Sequence, residues 1–221
     1  TRGRQRRSAQ GSRGCSVNSS ELVRRACDYL GCHGEVPGEM HSLVEDCLGE
    51  ARLLSRFRAV AREYRSLLPF LEKEPYRTFL AGCSGYVLVA MTLGAEIERR
   101  IRALMTLDPA RAVVLDACAS ALVECEGDAW EERFGADRTY RFCPGYGGSG
   151  IGDNAEIFRE LDPSRIGMQL LPSGMIAPQK SMAGIIGLGK SAHKSCTACM
   201  IAGNCQYRKE GRTCYGSEKN C

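Results

Sequence analysis

The run at residues 85–94, Gly-Tyr-Val-Leu-Val-Ala-Met-Thr-Leu-Gly, constrains the fold more than any other stretch of this 221-residue chain. It is apolar throughout, bounded by glycines and rich in β-branched and aromatic residues, which reads as a buried strand. It is also the longest apolar run, well short of the roughly 18 residues that a bilayer-spanning helix needs, so no membrane segment is expected. A sheet must therefore form around residues 85–93, and the flanking segments must cover it.

Those flanks read mainly as helices. Leu43, Cys47, Ala51, Leu54, Phe57 and Ala61 recur at three- and four-residue steps, which predicts a helix over residues 39–61. Pro75 is placed to start a brief helix through Leu80 that Gly82 ends. A helix from about residue 95 to 105 sets Ile97, Ile101 and Leu104 on one side. Asp108-Pro109 is a start signal, because Asp can cap and Pro suits the first helical position. The helix it opens is expected to run to about Phe134. Val114, Cys118, Ala121, Leu122 and Cys125 form its apolar stripe, and Asp116, Ser120, Glu124 and Asp128 a polar one at four-residue spacing. Spacing alone reads that polar stripe as a solvated face. Residues 155–161 form a short helix stopped by Asp162-Pro163, and residues 166–171 and 182–188 read as strands. Helices gather in the first half and strands in the second, without βαβ alternation, which predicts an α+β fold rather than a doubly wound one.

Charge and cysteine content divide the chain further. Residues 1–13 hold five arginines and no acid; without them 25 basic residues face 26 acidic ones, so the net charge of +4 belongs to a leader of disordered composition. No apolar signal segment follows these arginines, and the expected setting is cytoplasmic, with reduced thiols. Of 13 cysteines, Cys27, Cys47, Cys83, Cys118 and Cys125 lie among apolar residues, where a reduced cysteine acts as a small hydrophobe. Cys196-x2-Cys199-x5-Cys205-x8-Cys214 is different: four thiolates in one short segment can converge on a metal centre, and both zinc and an iron–sulfur cluster accept four. His33, His41 and His193 carry little signal. The expected division is a basic leader at 1–20, an α+β domain at 21–190 and a cysteine-rich metal-binding tail at 191–221.

The segment Arg-Phe-Cys-Pro-Gly-Tyr-Gly-Gly-Ser-Gly at 141–150 matches the G-x-G-x-x-G dinucleotide fingerprint in form only. That fingerprint needs a buried parallel strand before it and an acid about 20 residues after it. Residues 138–142 are too charged for such a strand, and no acid occurs between Pro163 and Lys209. What remains is Arg141-x-x-Pro144-Gly145-Tyr146, which resembles the Arg-x-x-x-Gly-Tyr signature of the S-adenosylmethionine-binding reactivation domain of cobalamin-dependent methionine synthase. The blocks at 28–34, 91–101, 115–124 and 165–189 resemble successive blocks of stand-alone relatives of that domain, and the likeness spans about residues 21–216.

The resemblance implies an activation-domain-like α+β fold with a helical first half, a twisted antiparallel sheet and a small C-terminal cysteine-rich metal module. It implies that Glu124, Arg141, Pro144, Gly145 and Tyr146 hold S-adenosylmethionine, taking Glu124 out of the solvated face. The arginine fork suits the ligand's carboxylate, the glycine allows close backbone approach, and the tyrosine offers a π face to the cationic sulfonium. It implies the role of an accessory reactivation protein for a corrinoid-dependent methyltransferase, with methionine synthase first in line. The chain has no Asp-x-His-x-x-Gly motif, so cobalamin would be carried by a partner protein. Cys196, Cys199, Cys205 and Cys214 would bind an iron–sulfur cluster or zinc, the cluster being preferred because the task includes delivering an electron. Read from charge alone, the six basic residues between Pro163 and Lys209, without an acid, form either a simple solvated basic surface or one that orients an acidic electron donor of flavodoxin or ferredoxin type. The competing reading is a zinc-stabilised module that binds nucleic acid or protein through its arginine-rich tail; the neutral body of the chain opposes it.

Overall fold

The computed structural model describes residues 19–32, 36–192, 203–211 and 213. Three strands form its main sheet. β1 (Arg58–Tyr64) and β2 (Gly85–Thr92) pair antiparallel from Arg58↔Thr92 to Tyr64↔Tyr86. β2 in turn pairs antiparallel with β5 (Ser181–Leu188), Gly85 opposite Leu188 and Thr92 opposite Ser181, giving the order β1-β2-β5. β3 (Gln169–Leu170) and β4 (Ile176–Ala177) make a separate two-residue ladder. The antiparallel α+β fold is the expected one, but β1 and β2 both lie in the half of the chain read as mainly helical.

The central place of β2 explains its unbroken apolar sequence. Val87, Val89 and Met91 enter one core and Tyr86, Leu88 and Ala90 the other, so alternation along the strand serves two buried faces. The first core is roofed by α1 (Ser19–Tyr29), α2 (Gly38–Leu54), α4 (Ala95–Leu107) and α5 (Pro109–Glu131). The second is closed by α3 (Tyr76–Phe79) and α6 (Asn154–Leu161), through Tyr76, Ile157 and Leu161. A further short helix, α7, spans Gln206–Lys209. Each fully buried Leu, Val or Met contributes roughly 1.5–3 kcal/mol of transfer free energy.

Two sequence expectations change. The helix expected over 39–61 stops at Leu54, where Ser55 turns extended (φ −64°, ψ 138°), and residues 58–61 belong to β1. Phe57 and Ala61 continue a helical spacing by coincidence; pairing with β2 and burial of Ala59 and Val60 decide the conformation. The strand expected over 166–171 shrinks to β3, because Pro163–Ile166 forms a 3-10 turn and Gly167 is left-handed at φ +84°. Elsewhere the signals hold. Asp108 Oδ1 accepts the Arg111 N–H at 3.1 Å at the start of α5, which continues as a 3-10 turn through Phe134.

The segment just before the glycine-rich loop lies along the outer edge of β5. Phe142 exchanges backbone hydrogen bonds with Ile185 (2.8 and 2.9 Å), Thr139 N donates to Gly187 O at 3.0 Å, and Gly189 N to Asp137 O at 2.8 Å. This irregular antiparallel border places Arg141 between β5 and α5.

Candidate functional site

The polar stripe of α5 is an ion-pairing seam. At its N-terminal end Lys180, just before β5, points Nζ at Asp116 Oδ1 (2.8 Å) and Ser120 Oγ (2.9 Å). At its C-terminal end Arg141 sends Nη2 to Glu124 Oε2 (2.6 Å), with Asp128 Oδ1 at 3.8 Å, while Nη1 contacts Glu131 Oε1. Arg25 of α1 completes the seam with Nη1 3.1 Å from Asp128 Oδ2. Lys180 is buried, so it does not belong to the basic surface expected between Arg165 and Lys209.

Two missing side chains make room for Arg141. A Cβ on Gly184 of β5 would lie 2.6 Å from Arg141 Cγ, and one on Gly127 of α5 would lie 3.1 Å from Nη1. The guanidinium thus passes over one glycine and ends against another, where its side chain is 5% exposed beside three carboxylates. The exposure of those acids is graded: 6% for Glu131, 34% for Glu124 and 51% for Asp128. Removing an ion from water is costly, and only close counter-charges offset it. Burial lowers the proton affinity of Arg141, but Glu131, Cys143, Glu124 and Asp128 together outweigh it and hold the guanidinium firmly charged. For Glu131 burial wins: its carboxyl is pushed up to about 7, with Asp128 and Glu124 adding to the rise and Arg141 opposing it. The Cys143 thiol, next to Arg141, is pushed up to about 11, mainly by burial.

The loop after Arg141 is braced from within and from below. Pro144 is buried, whereas Gly145 and Tyr146 are exposed. Gly145 N donates to Ser149 Oγ (3.1 Å), and Ser149 Oγ donates to Tyr146 O (2.7 Å). Gly145 sits at φ +93°, a region that favours glycine. Further along, Asp153 accepts from Lys73 Nζ at 2.7 Å and from Tyr76 Oη at 2.9 Å, tying the loop to the second core. Tyr146 stands at the tip of this braced loop, 72% exposed.

The structure therefore brings Glu124 and Arg141 into contact, with Pro144, Gly145 and Tyr146 following on one short loop. Sequence reading did not single out Glu131, although Glu124, Asp128 and Glu131 share a helix face at steps of four and three. Gly127 and Gly184 had no signal of their own; their role appears only once Arg141 lies between them.

Among the described residues no group of three or more His, Cys, Asp or Glu is placed to hold a metal ion. Cys205 is described, as a half-buried free thiol, whereas Cys196, Cys199 and Cys214 lie outside the described residues, as do His33 and His193. Cys125, expected as a reduced core residue, is disulfide-bonded. Among the described residues no helix is long and apolar enough to cross a membrane.

Helices on both sides of an antiparallel sheet, with an arginine threaded between β5 and α5, define the architecture. No family model matches the chain, and no curated protein sequence does. Among solved structures it is similar to the MetH reactivation domain bound to AdoHcy, with a TM-score of 0.58 at 16% identity, covering 89% of this chain and 85% of that one. The chain has the fold of that reactivation domain.

Proposed function

We propose that this chain is an accessory reactivation protein for a cobalamin-dependent methyltransferase, methionine synthase first among the candidates, and that it binds S-adenosylmethionine for the reductive methylation of cob(II)alamin. The observation that carries this reading is the pairing of Glu124 with Arg141 at the root of the exposed Gly145-Tyr146 turn. It occurs in a fold shared with a domain solved with AdoHcy bound.

In this reading Glu124, Arg141, Pro144, Gly145 and Tyr146 form the ligand site. Arg141 is already engaged by Glu131 and Glu124, so its first task is to hold Glu124 in place and to fix the start of the loop. Gly145 lets the backbone approach the ligand closely, and Tyr146 faces the sulfonium. A partner protein brings the corrinoid, and a flavodoxin- or ferredoxin-type donor supplies the electron that takes Co(II) to Co(I). The reduced corrinoid would accept the methyl group, and the S–C bonding pair would stay on sulfur, leaving AdoHcy at the site formed by Glu124, Arg141, Pro144, Gly145 and Tyr146. The site needs no general acid or base; its contribution is positioning. Cys205, with Cys196, Cys199 and Cys214, is proposed as an iron–sulfur or zinc centre, to be checked by iron, sulfide and zinc analysis after anaerobic purification.

The test is calorimetric titration with S-adenosylmethionine and AdoHcy. Wild type binds both, and Glu124→Gln weakens S-adenosylmethionine about tenfold or more, as expected for loss of a charge-assisted contact. Wild type that binds neither ligand overturns the proposal.

A further inference from the structure

Arg141 meets more acid than one guanidinium can satisfy. Its Nη2 lies 2.6 Å from Glu124 Oε2 but 3.8 Å from Asp128 Oδ1, so only Glu124 is hydrogen-bonded there, and Nη1 is taken by Glu131. Glu124 and Asp128 sit one turn apart on α5, where like charges repel and both draw on the same donor. The other oxygen of Asp128, Oδ2, accepts from Arg25 Nη1 of α1 at 3.1 Å. Arg25 is itself anchored, because its Nε donates to Glu21 Oε1 at 3.0 Å on the same helix. The neighbouring Arg24 keeps its guanidinium within α1, on Glu21 (2.7 and 2.8 Å) and Asp28 (2.6 Å). Of these two arginines, Arg25 is the one that spans to α5.

We infer that Arg25 is a positioning residue for the ligand site: by engaging Asp128 it leaves the Nη2 edge of Arg141 to Glu124, and so fixes the carboxylate that faces the ligand. The inference rests on the reading of Glu124 and Arg141 as part of an S-adenosylmethionine site. Without the Arg25 charge, Asp128 has Arg141 as its nearest counter-charge and competes with Glu124 for the same N–H. Arg25 and Asp128 are 30% and 51% exposed, so water screens the pair and the effect is a few-fold rather than loss of the site. Charge alone predicts the opposite sign. Removing a cation makes the seam more negative and tightens a positively charged ligand, whereas loosening Glu124 weakens it.

The experiment is calorimetric titration with S-adenosylmethionine on wild type, Arg25→Gln, Arg25→Lys, and Arg25→Gln combined with Asp128→Asn, with circular dichroism to verify folding. Arg25→Gln weakens binding about three- to fivefold. Arg25→Lys keeps a positive charge for Asp128 and stays within about twofold of wild type. The double variant also returns to within about twofold, because the competing carboxylate is gone; a general structural defect would not be repaired in this way. Unchanged or tighter binding by Arg25→Gln, or a double variant as weak as Arg25→Gln, overturns the inference and leaves the proposed function standing. Wild type that binds neither S-adenosylmethionine nor AdoHcy overturns the proposed function itself.

Discussion

Replacing Glu131 with glutamine keeps an oxygen for Arg141 but removes a titrating group held in an unusual place. Burial raises the Glu131 carboxyl from 4.5 to about 7 in the folded chain. Between these values the folded state binds more protons at Glu131 than the unfolded state does. The contribution of Glu131 to stability therefore falls as pH rises through this window. At about 1.4 kcal/mol per tenfold change in proton affinity, the loss amounts to about 3 kcal/mol between about pH 4 and about pH 8. Glu131→Gln has no titrating group here, and any fixed cost of weakening the contact with Arg141 shifts its whole curve without changing the slope. Urea unfolding can be followed by the fluorescence of Trp130, the sole tryptophan, which adjoins Glu131 and is 9% exposed. The difference between variant and wild type should move in the variant's favour by about 3 kcal/mol over that range. A flat difference, or one moving in favour of wild type, refutes the reasoning. It would mean that the attraction of Arg141 exceeds the burial cost and keeps Glu131 ionised throughout.

Gly184→Ala places a Cβ 2.6 Å from Arg141 Cγ and 2.9 Å from the Phe142 carbonyl oxygen. It should cost about 1–3 kcal/mol in urea unfolding, and a change below about 0.5 kcal/mol would count against the threading of Arg141. Asp108→Ala removes the acceptor for Arg111 N and should destabilise by about 1 kcal/mol, with Asp108→Asn recovering most of it in the same assay. Cys118 is fully buried, and burial pushes its thiol up to about 12, so at about pH 8 a thiol reagent should label it only as fast as the protein unfolds. Rapid labelling of the native protein, located by peptide mass mapping, would contradict that placement.

Local chemistry made much of the fold legible. The Asp108-Pro109 cap, the apolar run at β2 and the Asp162-Pro163 stop each act within a few residues, and each element appears where its signal lies. Failures arose where distant partners decide. β1 continues a helical spacing from Leu54 through Phe57 to Ala61, and only its pairing with β2 overrides that pattern. The site shows the same division. Glu124 and Arg141 were drawn together through resemblance, since spacing alone left the α5 stripe solvated. Glu131, Gly127 and Gly184 depend on where one guanidinium comes to rest, a property of three elements at once. Lys180 misled for the same reason: as one of a run of bases it suggests a surface, until Asp116 and Ser120 appear within 3 Å.

The border formed by residues 138–142 has a consequence for how this chain can vary. Along it the stem of Arg141 lies against Gly184 toward α5, while Phe142 packs into the opposite core beside Ile185. Neighbours on such a segment alternate between faces, so their sides are fixed by counting from the pairing with β5. One residue inserted or deleted between Arg138 and Phe142 would turn the guanidinium into an apolar layer and the phenyl ring into the carboxylate seam. Homologous chains should therefore accept many substitutions along this border and almost no change in its length, with insertions beginning only past Tyr146.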